Sequence, residues 1–420
     1  MAERLIIRNF AGLDIDIELG RINIFIGAQA SGKSICVKGI AYFQDFIGTL
    51  IDFASTGNSK QELEDSLIIY FTELFVVTGE ESDFVFRYSI GKQFIEIRNT
   101  KQHLSLVYSN FYDGLFSRLK KAASQSVTSG HLAQVVSQQL VMPFWEEARQ
   151  QLNPYAGGIF LFVPTNRAHF TLLRQTGRNP LSTIADDPMS AWFQKFYHFL
   201  KKQQARRRYK DFPFHNSNKT VAQLISQILR ATLTKEEKED VLLHQNGTRT
   251  SLRQASSGQQ EVLPLLLALE YLVGASAPKT AAVLYVEEPE THLHPGAQRD
   301  VVQLMAAVYN ARHQPLQLFI TTHTPYLLSA FNNLIYAGQL ASKLKPNDSA
   351  GRKKLYAAVP KELHMKLEDF RVYELSNGKA LLRIDEESGL LMADSLDSIS
   401  DIIADQFGEL LALDPATQPE

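Results

Sequence analysis

The sequence predicts an α/β fold with a mixed sheet, to which an antiparallel β and helical lobe is added. A β-rich run at residues 21–26 leads directly into a glycine-rich turn and then into a helix-forming segment. Two later apolar runs, at 281–286 and 316–320, are typical of buried strands, because each is short, continuous and followed by polar residues. Three short alternating segments between 83 and 109 predict an antiparallel meander.

The glycine-rich turn fits the pattern G-x-x-x-x-G-K-[ST]. A strand that feeds such a turn at the start of a helix aims backbone N–H groups at phosphate oxygens, and the helix dipole favours their negative charge. Lys33 would reach the β- and γ-phosphates of a nucleotide, and the Ser34 hydroxyl would hold Mg²⁺. Chance matches to so short a pattern occur, but the strand–turn–helix setting argues against one here. The residues assigned to the nucleotide are Gly27, Ala28, Gln29, Ala30, Ser31, Gly32, Lys33, Ser34 and Cys36.

Size and composition limit the class of protein. With 420 residues the chain exceeds one ordinary domain, so we expect two modules or one domain with a large insertion. The formal net charge of −2 excludes a polycation that coats nucleic acid and leaves only local contact patches. Cys36, the single cysteine, excludes an intramolecular disulfide, fits a reducing cytoplasm and suits a small apolar position on the first helix.

Neither a signal peptide nor a membrane span is predicted. Arg4, Arg8 and Asp14 interrupt the first apolar residues, and no apolar run reaches the roughly 18 residues that a spanning helix needs. We therefore expect a cytoplasmic protein without membrane contact.

The order of the predicted elements suggests two parts. Residues 1–50 and 250–420 would form one domain, and residues 51–250 would form an inserted lobe. In the first part, residues 4–26 predict two or three strands, and a helix follows to about Asp52. In the lobe we expect strands at 83–89, 93–100 and 104–109, helical segments at 112–152 and 187–245, and an apolar strand at 157–163 that ends at Pro164-Thr165-Asn166-Arg167.

The lobe contains a basic run. A charge run usually forms a solvated helix face, and contact with a phosphate backbone or a partner is the alternative. The run consists of Lys201, Lys202, Arg206, Arg207, Arg208 and Lys210.

Two carboxylates follow the strand at 281–286. Open α/β sheets bind ligands at the carboxyl ends of their strands, which is where Glu287 and Glu288 would lie. Beside a Mg²⁺–nucleotide, Glu287 can hold the metal and Glu288 can polarise the attacking water as general base. The alternative interpretation is a solvated acidic turn, which the presence of the phosphate loop disfavours.

Two further segments could reach the same ligand. Ser256 or Ser257 suits a helix N-cap, and Gly258 lets a phosphate approach the backbone beside Gln259. Taken alone, this segment is an ordinary capped helix. His323 follows the strand at 316–320, where it could contact a γ-phosphate, although a lone histidine is more often structural.

The order of these motifs resembles ABC-type ATPase heads of the SMC/RecF/OLD-like branch. The segment 255–260 looks like the signature motif, 287–295 like the extended Walker B motif and D-loop, and His323 like the switch histidine. The segments 372–375 and 389–391 and an acidic helix predicted at 399–413 also fit this branch. The resemblance covers roughly residues 1–50 and 250–420 and implies an ABC-type P-loop ATPase head.

The resemblance implies a homodimer, or a higher oligomer of dimers, that closes on ATP and Mg²⁺ and opens on hydrolysis. The resemblance places one set of catalytic and metal residues in each subunit, namely Lys33, Ser34, Glu287, Glu288 and His323. The partner would contribute Ser256, Ser257, Gly258 and Gln259 to the same γ-phosphate. Gln29-Ala30 departs from the Asn-Gly common in this branch, and Glu287 stands where many relatives have Asp. The glutamine loop is not placed, and Arg167 lies in a segment that resembles a Pro-Ala-x-Arg element near it.

Resemblance also bears on the biological role. OLD-type relatives often carry a Toprim nuclease, but only roughly 100 residues follow His323 and Asp394-Ser395-Leu396-Asp397 has the wrong spacing. Effector chemistry is therefore expected in a partner protein, as in an antiphage system of PARIS or Septu type. The alternative is a RecF-like DNA-repair clamp that binds duplex DNA, supported only by the basic run. A transporter subunit is disfavoured, because the inserted lobe and the Glu-Glu-Pro-Glu-x-His pattern do not look like transporter heads.

Overall fold

The computed structural model describes residues 1–75, 83–127, 133–173, 188–206, 218–236, 239–274, 277–392 and 405–407. The strands are β1 Glu3–Phe10, β2 Leu13–Leu19, β3 Ile22–Ile26, β4 Phe84–Ile90, β5 Gln93–Thr100, β6 His103–Tyr108, β7 Ile159–Val163, β8 Ala231–Glu236, β9 Glu239–His244, β10 Arg249–Ser251, β11 Ala282–Glu287, β12 Leu316–Thr322, β13 Phe370–Ser376, β14 Lys379–Leu382, β15 Ile384–Asp385 and β16 Leu390–Leu391. The α-helices are α1 Lys33–Ser55, α2 Lys60–Phe75, α3 Asn110–Val127, α4 Ala133–Gln151, α5 Ala168–Leu173, α6 Pro188–Arg206, α7 Lys219–Leu229, α8 Ser257–Val273, α9 Pro295–Ala311, α10 Pro325–Lys343 and α11 Ser349–Ala358.

A six-stranded sheet in the order β14-β13-β3-β12-β11-β7 forms the centre of the molecule. Its strands are parallel except for β14, which pairs antiparallel with β13. Because parallel strands share a direction, the carboxyl ends of β3, β7, β11, β12 and β13 meet at one edge of the sheet, where ligands of open α/β sheets bind. The predicted fold class, α/β with a mixed sheet, is confirmed.

Successive side chains along the strands of the central sheet pack alternately into two hydrophobic cores. Ile24 belongs to the core formed with helices α7 to α10, whereas its neighbour Phe25 belongs to the core formed with α1 and α2. Leu284 and Tyr285 of β11 divide in the same way. The sheet is therefore covered on both faces, which explains why its strands appear in the sequence as continuous apolar runs.

A second sheet, in the order β2-β1-β4-β5-β6, joins distant parts of the chain. The predicted meander at 83–109 is present, and β4 pairs with β1 along its length. Strand β7, also assigned to the predicted insertion, lies in the central sheet beside β11. Strand pairing therefore crosses the predicted boundary near residue 50, because the division followed chain order whereas pairing joins residues far apart in sequence.

The helical prediction for 187–245 is correct for α6 and α7 but wrong beyond residue 230. There β8 and β9 form an antiparallel hairpin that β10 extends to three strands. Leu233 and Leu242 pair across the hairpin and are both fully buried. The many charged residues of this segment suggested a solvated helix, but its alternating β-branched and apolar residues favour strands.

The basic run is described only in part. Arg207, Arg208 and Lys210 lie outside the described residues. Lys201 is buried, and its Nζ lies 2.7 Å from Oδ2 of Asp240 on β9, so this lysine holds α6 against the hairpin. Of the acidic helix predicted at 399–413, the described residues 405–407 are helical. Among the described helices, none combines the length and the apolar character needed to cross a bilayer.

Close packing between α1 and β4 gives a stability prediction. A Cβ atom at Gly39 of α1 would lie 2.1 Å from Cζ of Phe86, a fully buried ring surrounded by other aromatic rings. Overpacking costs about 1–3 kcal/mol, against a gain in helix propensity of about 1 kcal/mol. Gly39→Ala should therefore lower the free energy of unfolding measured by denaturant titration.

Gly114→Ala is the matched control for this substitution. Gly114 lies inside α3, and an added Cβ would meet nothing within 4 Å. Its replacement should raise the free energy of unfolding by about 0.5–1 kcal/mol. Equal effects at the two positions would show that α1 does not pack against Phe86 as described.

Candidate nucleotide-binding site

The loop between β3 and α1 is shaped by close contacts with two other strands. Gly27 has a φ of 150°, and a Cβ there would lie 2.4 Å from the carbonyl oxygen of Leu375 on β13. Gly32 has a φ of 97°, and a Cβ there would lie 2.6 Å from Cδ2 of Leu13 on β2. Glycine is required at both positions, because a larger residue would combine backbone strain with a steric clash.

Gly32 is also the N-cap of α1, and no side chain caps this helix end. The first backbone N–H groups of a helix lack intrahelical acceptors and bind anions readily. Ala30, where the resembling branch often has glycine, adopts a φ of 60°. The alanine therefore takes the left-handed conformation that glycine takes without strain, at a cost of roughly 1–2 kcal/mol. The cradle thus has the features that phosphate oxygens require.

Lys33 lies folded into this cradle. Its ammonium donates to the carbonyl oxygens of Gly27 and Ala28 at 2.9 and 2.7 Å and lies 3.4 Å from Nδ1 of His323. Burial lowers the pKa of Lys33, while the carboxylates of Glu288 and Glu290 oppose that shift. These contacts hold a cation at the mouth of the loop, where it can meet a phosphate.

A hydrogen-bonded chain connects Lys33 to the carboxylate after β11. Because an ammonium group only donates, Nδ1 of His323 accepts, and Nε2–H is then free to donate to Oε1 of Glu288 at 3.0 Å. The Thr291 hydroxyl lies 3.3 Å from the other carboxylate oxygen. The structure therefore brings together the three residues proposed as catalytic, and it places the Glu288 carboxylate between His323 and Thr291.

Glu287 and Ser34 are the candidate metal ligands. Glu287 ends β11, is 5% exposed and lines a cleft of about 700 Å³ together with Lys38, Asn166 and His292. Ser34 is exposed in the first turn of α1. Hydroxyl and carboxylate oxygens suit Mg²⁺, which is usually held by few protein ligands plus phosphate and water. Among the described residues, no three His, Cys, Asp or Glu side chains converge as a metal cluster.

The structure separates Cys36 from the loop surface. Its side chain is fully buried in the core, and its backbone N–H donates to the carbonyl of Gly32 at 3.1 Å. Burial raises the pKa of its thiol to about 12. The side chain of Cys36 therefore packs as a small apolar group, and the assignment of Cys36 to the nucleotide stays a prediction.

The start of α8 has the predicted capped geometry. Ser256 is the N-cap and forms a capping box with Gln259, whose amide nitrogen also donates to the carbonyl of Leu229 at 2.8 Å. Ser257 begins the helix. A Cβ at Gly258 would lie 2.7 Å from the carbonyl oxygen of His292, so glycine lets α8 approach the turn after the two glutamates.

Two residues that shape the candidate site were missed by the sequence analysis. Oε1 of Glu290 accepts from the Thr322 hydroxyl at 2.7 Å and from the backbone N–H of His323 at 2.9 Å, so it fixes the end of β12. Glu261 of α8 accepts the backbone N–H groups of Arg167 and Ala168, each at 2.8 Å. The sequence offered one signal for each residue. Glu290 is a third glutamate after Glu287-Glu288, and Glu261 lies in the first turns of an apolar helix.

Arg167 is fully buried beneath the two glutamates. Its guanidinium donates to the carbonyl oxygens of Glu287 and Glu288 at 2.8 and 3.0 Å, and its Nε donates to the carbonyl oxygen of Glu261 at 3.2 Å. Burial lowers the pKa of Arg167, and the Glu261 carboxylate opposes this shift. In the structure Arg167 lies between β11 and α8, and its relation to the glutamine loop stays a prediction.

A protein-family model matches residues 142–329 of the chain, and it is described as AAA domain, putative AbiEii toxin, Type IV TA system. The chain is thus similar to that family over less than half of its length. The matched segment includes Arg167, the start of α8, both glutamates and His323, but it lies outside the loop at 27–34. None of the curated proteins matches the chain.

Several solved structures share a distant likeness with the chain. The SMC head domain from Thermotoga maritima is 9% identical with a TM-score of 0.37, covering 91% of this chain and 97% of that one. An SmcHead bound to the C-winged helix domain of ScpA is 10% identical with a TM-score of 0.43, covering 92% and 98%. An Smc head with an extended coiled coil, bound to the C-terminal domain of ScpA from Pyrococcus furiosus, is 11% identical with a TM-score of 0.36, covering 96% and 99%. Identities and TM-scores this low carry no conclusion about activity.

The buried carboxyl of Glu290 predicts a pH dependence of stability. Burial raises its pKa above the ordinary value of 4.5, so the native state holds the proton to a higher pH than the unfolded chain. Its contribution to stability is present in full below the unfolded pKa and is lost as the pH rises through the native pKa. Because Glu290→Gln stays neutral, its stability relative to the unsubstituted protein should rise as the pH increases above about 4.5.

Denaturant titrations across that range test this expectation. Glu386→Gln, at an exposed position, is the control and should show a constant difference. A constant difference for Glu290→Gln as well would mean that the carboxyl does not titrate abnormally in the native state.

Proposed function

We propose that this protein is an ATP-hydrolysing switch of ABC type. The hydrogen-bonded chain from Lys33 through His323 to Glu288, at the edge where the parallel strands end, carries this proposal. The three groups belong to three different strand ends, and each is the residue type that hydrolysis of a nucleoside triphosphate requires. The similarity to an AAA domain over residues 142–329 supports the same activity.

Binding would begin at the loop. The uncapped N–H groups at the start of α1 bind the β- and γ-phosphate oxygens, and the Lys33 ammonium exchanges the carbonyl oxygens of Gly27 and Ala28 for phosphate oxygens. Mg²⁺, held by Ser34 and Glu287, would neutralise charge on those phosphates. The loop and Lys33 would thus hold the phosphates mainly by electrostatic attraction.

Hydrolysis would depend on how Glu288 is held. Its carboxylate lies between Nε2 of His323 and the hydroxyl of Thr291, so it is oriented to accept a proton from a water that attacks the γ-phosphorus. The water's proton goes to Glu288, its oxygen bonds to phosphorus, and the bond to the β-phosphate oxygen breaks. His323 would respond to the γ-phosphate, because its ring already contacts Lys33.

We further propose that two copies of the chain enclose each ATP. The start of α8 would meet the γ-phosphate held by the loop of the second copy. Ser257 and Gly258 supply its backbone N–H groups, because the side chains of Ser256 and Gln259 are engaged in the capping box. ATP binding would close the dimer, and hydrolysis would open it.

The biological role that we propose is regulation of a partner effector in antiphage defence. The description of the matching family, which names a putative toxin of a Type IV TA system, is consistent with a protein that acts within a toxic system. Lys201, one residue of the basic run that supported a duplex-DNA clamp, pairs with Asp240, which weakens that alternative. Co-purification of an effector from the native host, independent of DNA, tests this role.

Glu288→Gln should bind ATP, hydrolyse it slowly and accumulate as a closed dimer. The amide keeps the size of the side chain but accepts no proton from water, so kcat should fall by about 10²–10⁴-fold. Phosphate release measures turnover, and light scattering measures the dimer. Glu368→Gln, at a side chain that is 74% exposed, is the control. Unchanged turnover would remove Glu288 from the role of base.

Lys33→Ala should lose nucleotide affinity by at least about tenfold, because a charge-assisted hydrogen bond contributes about 1.5–3 kcal/mol. Titration with a fluorescent ATP analogue measures the affinity. Lys92→Ala, in the exposed turn between β4 and β5, serves as control. Retained affinity in the Lys33 variant would contradict the assignment of the loop.

A further inference from the structure

We propose that Arg167 couples the two nucleotide sites of the dimer, by linking the start of α8 to Glu288 of the same chain. The inference rests on the proposed ATPase dimer and assigns a means of regulation to it. Arg167 is a positioning residue, since its guanidinium is fully buried and donates to the carbonyl oxygens of Glu261, Glu287 and Glu288.

The contacts of Arg167 span the two elements in question. On one side, its backbone N–H and Nε reach the carboxylate and the carbonyl oxygen of Glu261 on α8. On the other, its two terminal nitrogens reach the carbonyl oxygens of Glu287 and Glu288. A planar guanidinium presents its donors in a fixed fork. A shift of Glu261 therefore moves the donors that hold the peptide groups of both glutamates.

Burial makes this connection stiff. Arg167 is 0% exposed and Glu261 is 2% exposed, so water does not compete for their hydrogen bonds. Ala168, the next residue, donates its N–H to the second oxygen of Glu261 at 2.8 Å, which leaves the carboxylate little freedom to rotate. A second contact runs in parallel, because α8 at Gly258 lies directly against the carbonyl of His292.

The geometry of the proposed dimer gives the connection a function. In each chain, Glu288 serves the ATP held by that chain's own loop, whereas Ser257 and Gly258 meet the ATP held by the partner. Arg167 therefore joins the parts of one chain that serve different nucleotides. Filling one site draws α8 to its γ-phosphate, and Arg167 passes this movement to the Glu288 that acts on the other nucleotide. Hydrolysis should then be cooperative in ATP.

The test compares substitutions at both partners of the contact. Glu261→Gln keeps the volume, but its NH₂ group must face either the Arg167 N–H or the Ala168 N–H, so one of these donors loses its acceptor. Arg167→Lys keeps the charge but cannot reach Glu261 and both glutamate carbonyls together. Arg312→Lys is the matched control, since Arg312 donates to the carbonyl of Leu272 near the other end of α8.

ATPase rates are measured against ATP concentration, at a protein concentration where light scattering shows every variant to be dimeric at saturating ATP. The wild-type protein and Arg312→Lys should show a Hill coefficient near 2. Glu261→Gln and Arg167→Lys should show a coefficient clearly below that of the wild-type protein, while ATP-driven dimerisation persists. Glu261→Asp, which restores a carboxylate, should recover part of the cooperativity.

The outcomes separate this inference from the proposed function. A Hill coefficient of 1 in an active wild-type dimer overturns the coupling and leaves the ATPase standing. An unchanged coefficient in the dimeric Glu261→Gln variant also overturns it, and this variant decides the question if Arg167→Lys does not fold. If the wild-type protein neither binds ATP nor dimerises, the proposed function fails and the coupling fails with it.

Discussion

The parallel pairing of β3, β12 and β11 is the constraint on which the candidate site depends. Its register sets Thr322 beside Ile26 and Glu287 beside Thr321, so the residues that follow these strands emerge together. Lys33, His323 and Glu288 are brought into one hydrogen-bonded chain only because this register holds. A shift of one residue in β12 would turn alternate side chains to the opposite core and carry His323 out of reach.

Hydrogen bonds to backbone groups fix the acidic end of β11. Glu288 has a φ of 44°, a strained conformation for a residue with a side chain. Its N–H bonds to the carbonyl of Thr321, and its own carbonyl accepts from Arg167. These hydrogen bonds to the N–H and to the carbonyl of Glu288 stabilise the turn. They explain how a residue with a strained backbone can persist there. A fully buried arginine is costly unless it is paired and hydrogen-bonded, and here three carbonyl groups accept from the guanidinium while a carboxylate oxygen of Glu261 lies 3.4 Å from Nε.

Local signals in the sequence predicted much of this structure. The loop at 27–34, the capped helix at Ser256 and the apolar strands that end in Glu287 and His323 each depend on a short segment, so their patterns were sufficient. The hairpin at 231–244 is local, but its many charged residues suggested a solvated helix although its alternating residues favour strands. The pairing of β1 with β4, in contrast, depends on contacts between segments remote from each other, which no local pattern encodes. Glu261 and Glu290 escaped notice for the same reason, because their roles arise only where α8 and β12 meet other elements.

The walls of the phosphate cradle come from opposite parts of the chain. Leu13 closes it on one side and the carbonyl of Leu375 on the other, while β12 and β13 flank the strand that feeds it. When the loop emerges from the ribosome, three of these four neighbours, namely Leu375, β12 and β13, have not yet been synthesised. The pocket therefore takes shape only late in synthesis, so a nascent chain has no complete cradle with which to capture a nucleotide before most of its sequence has emerged.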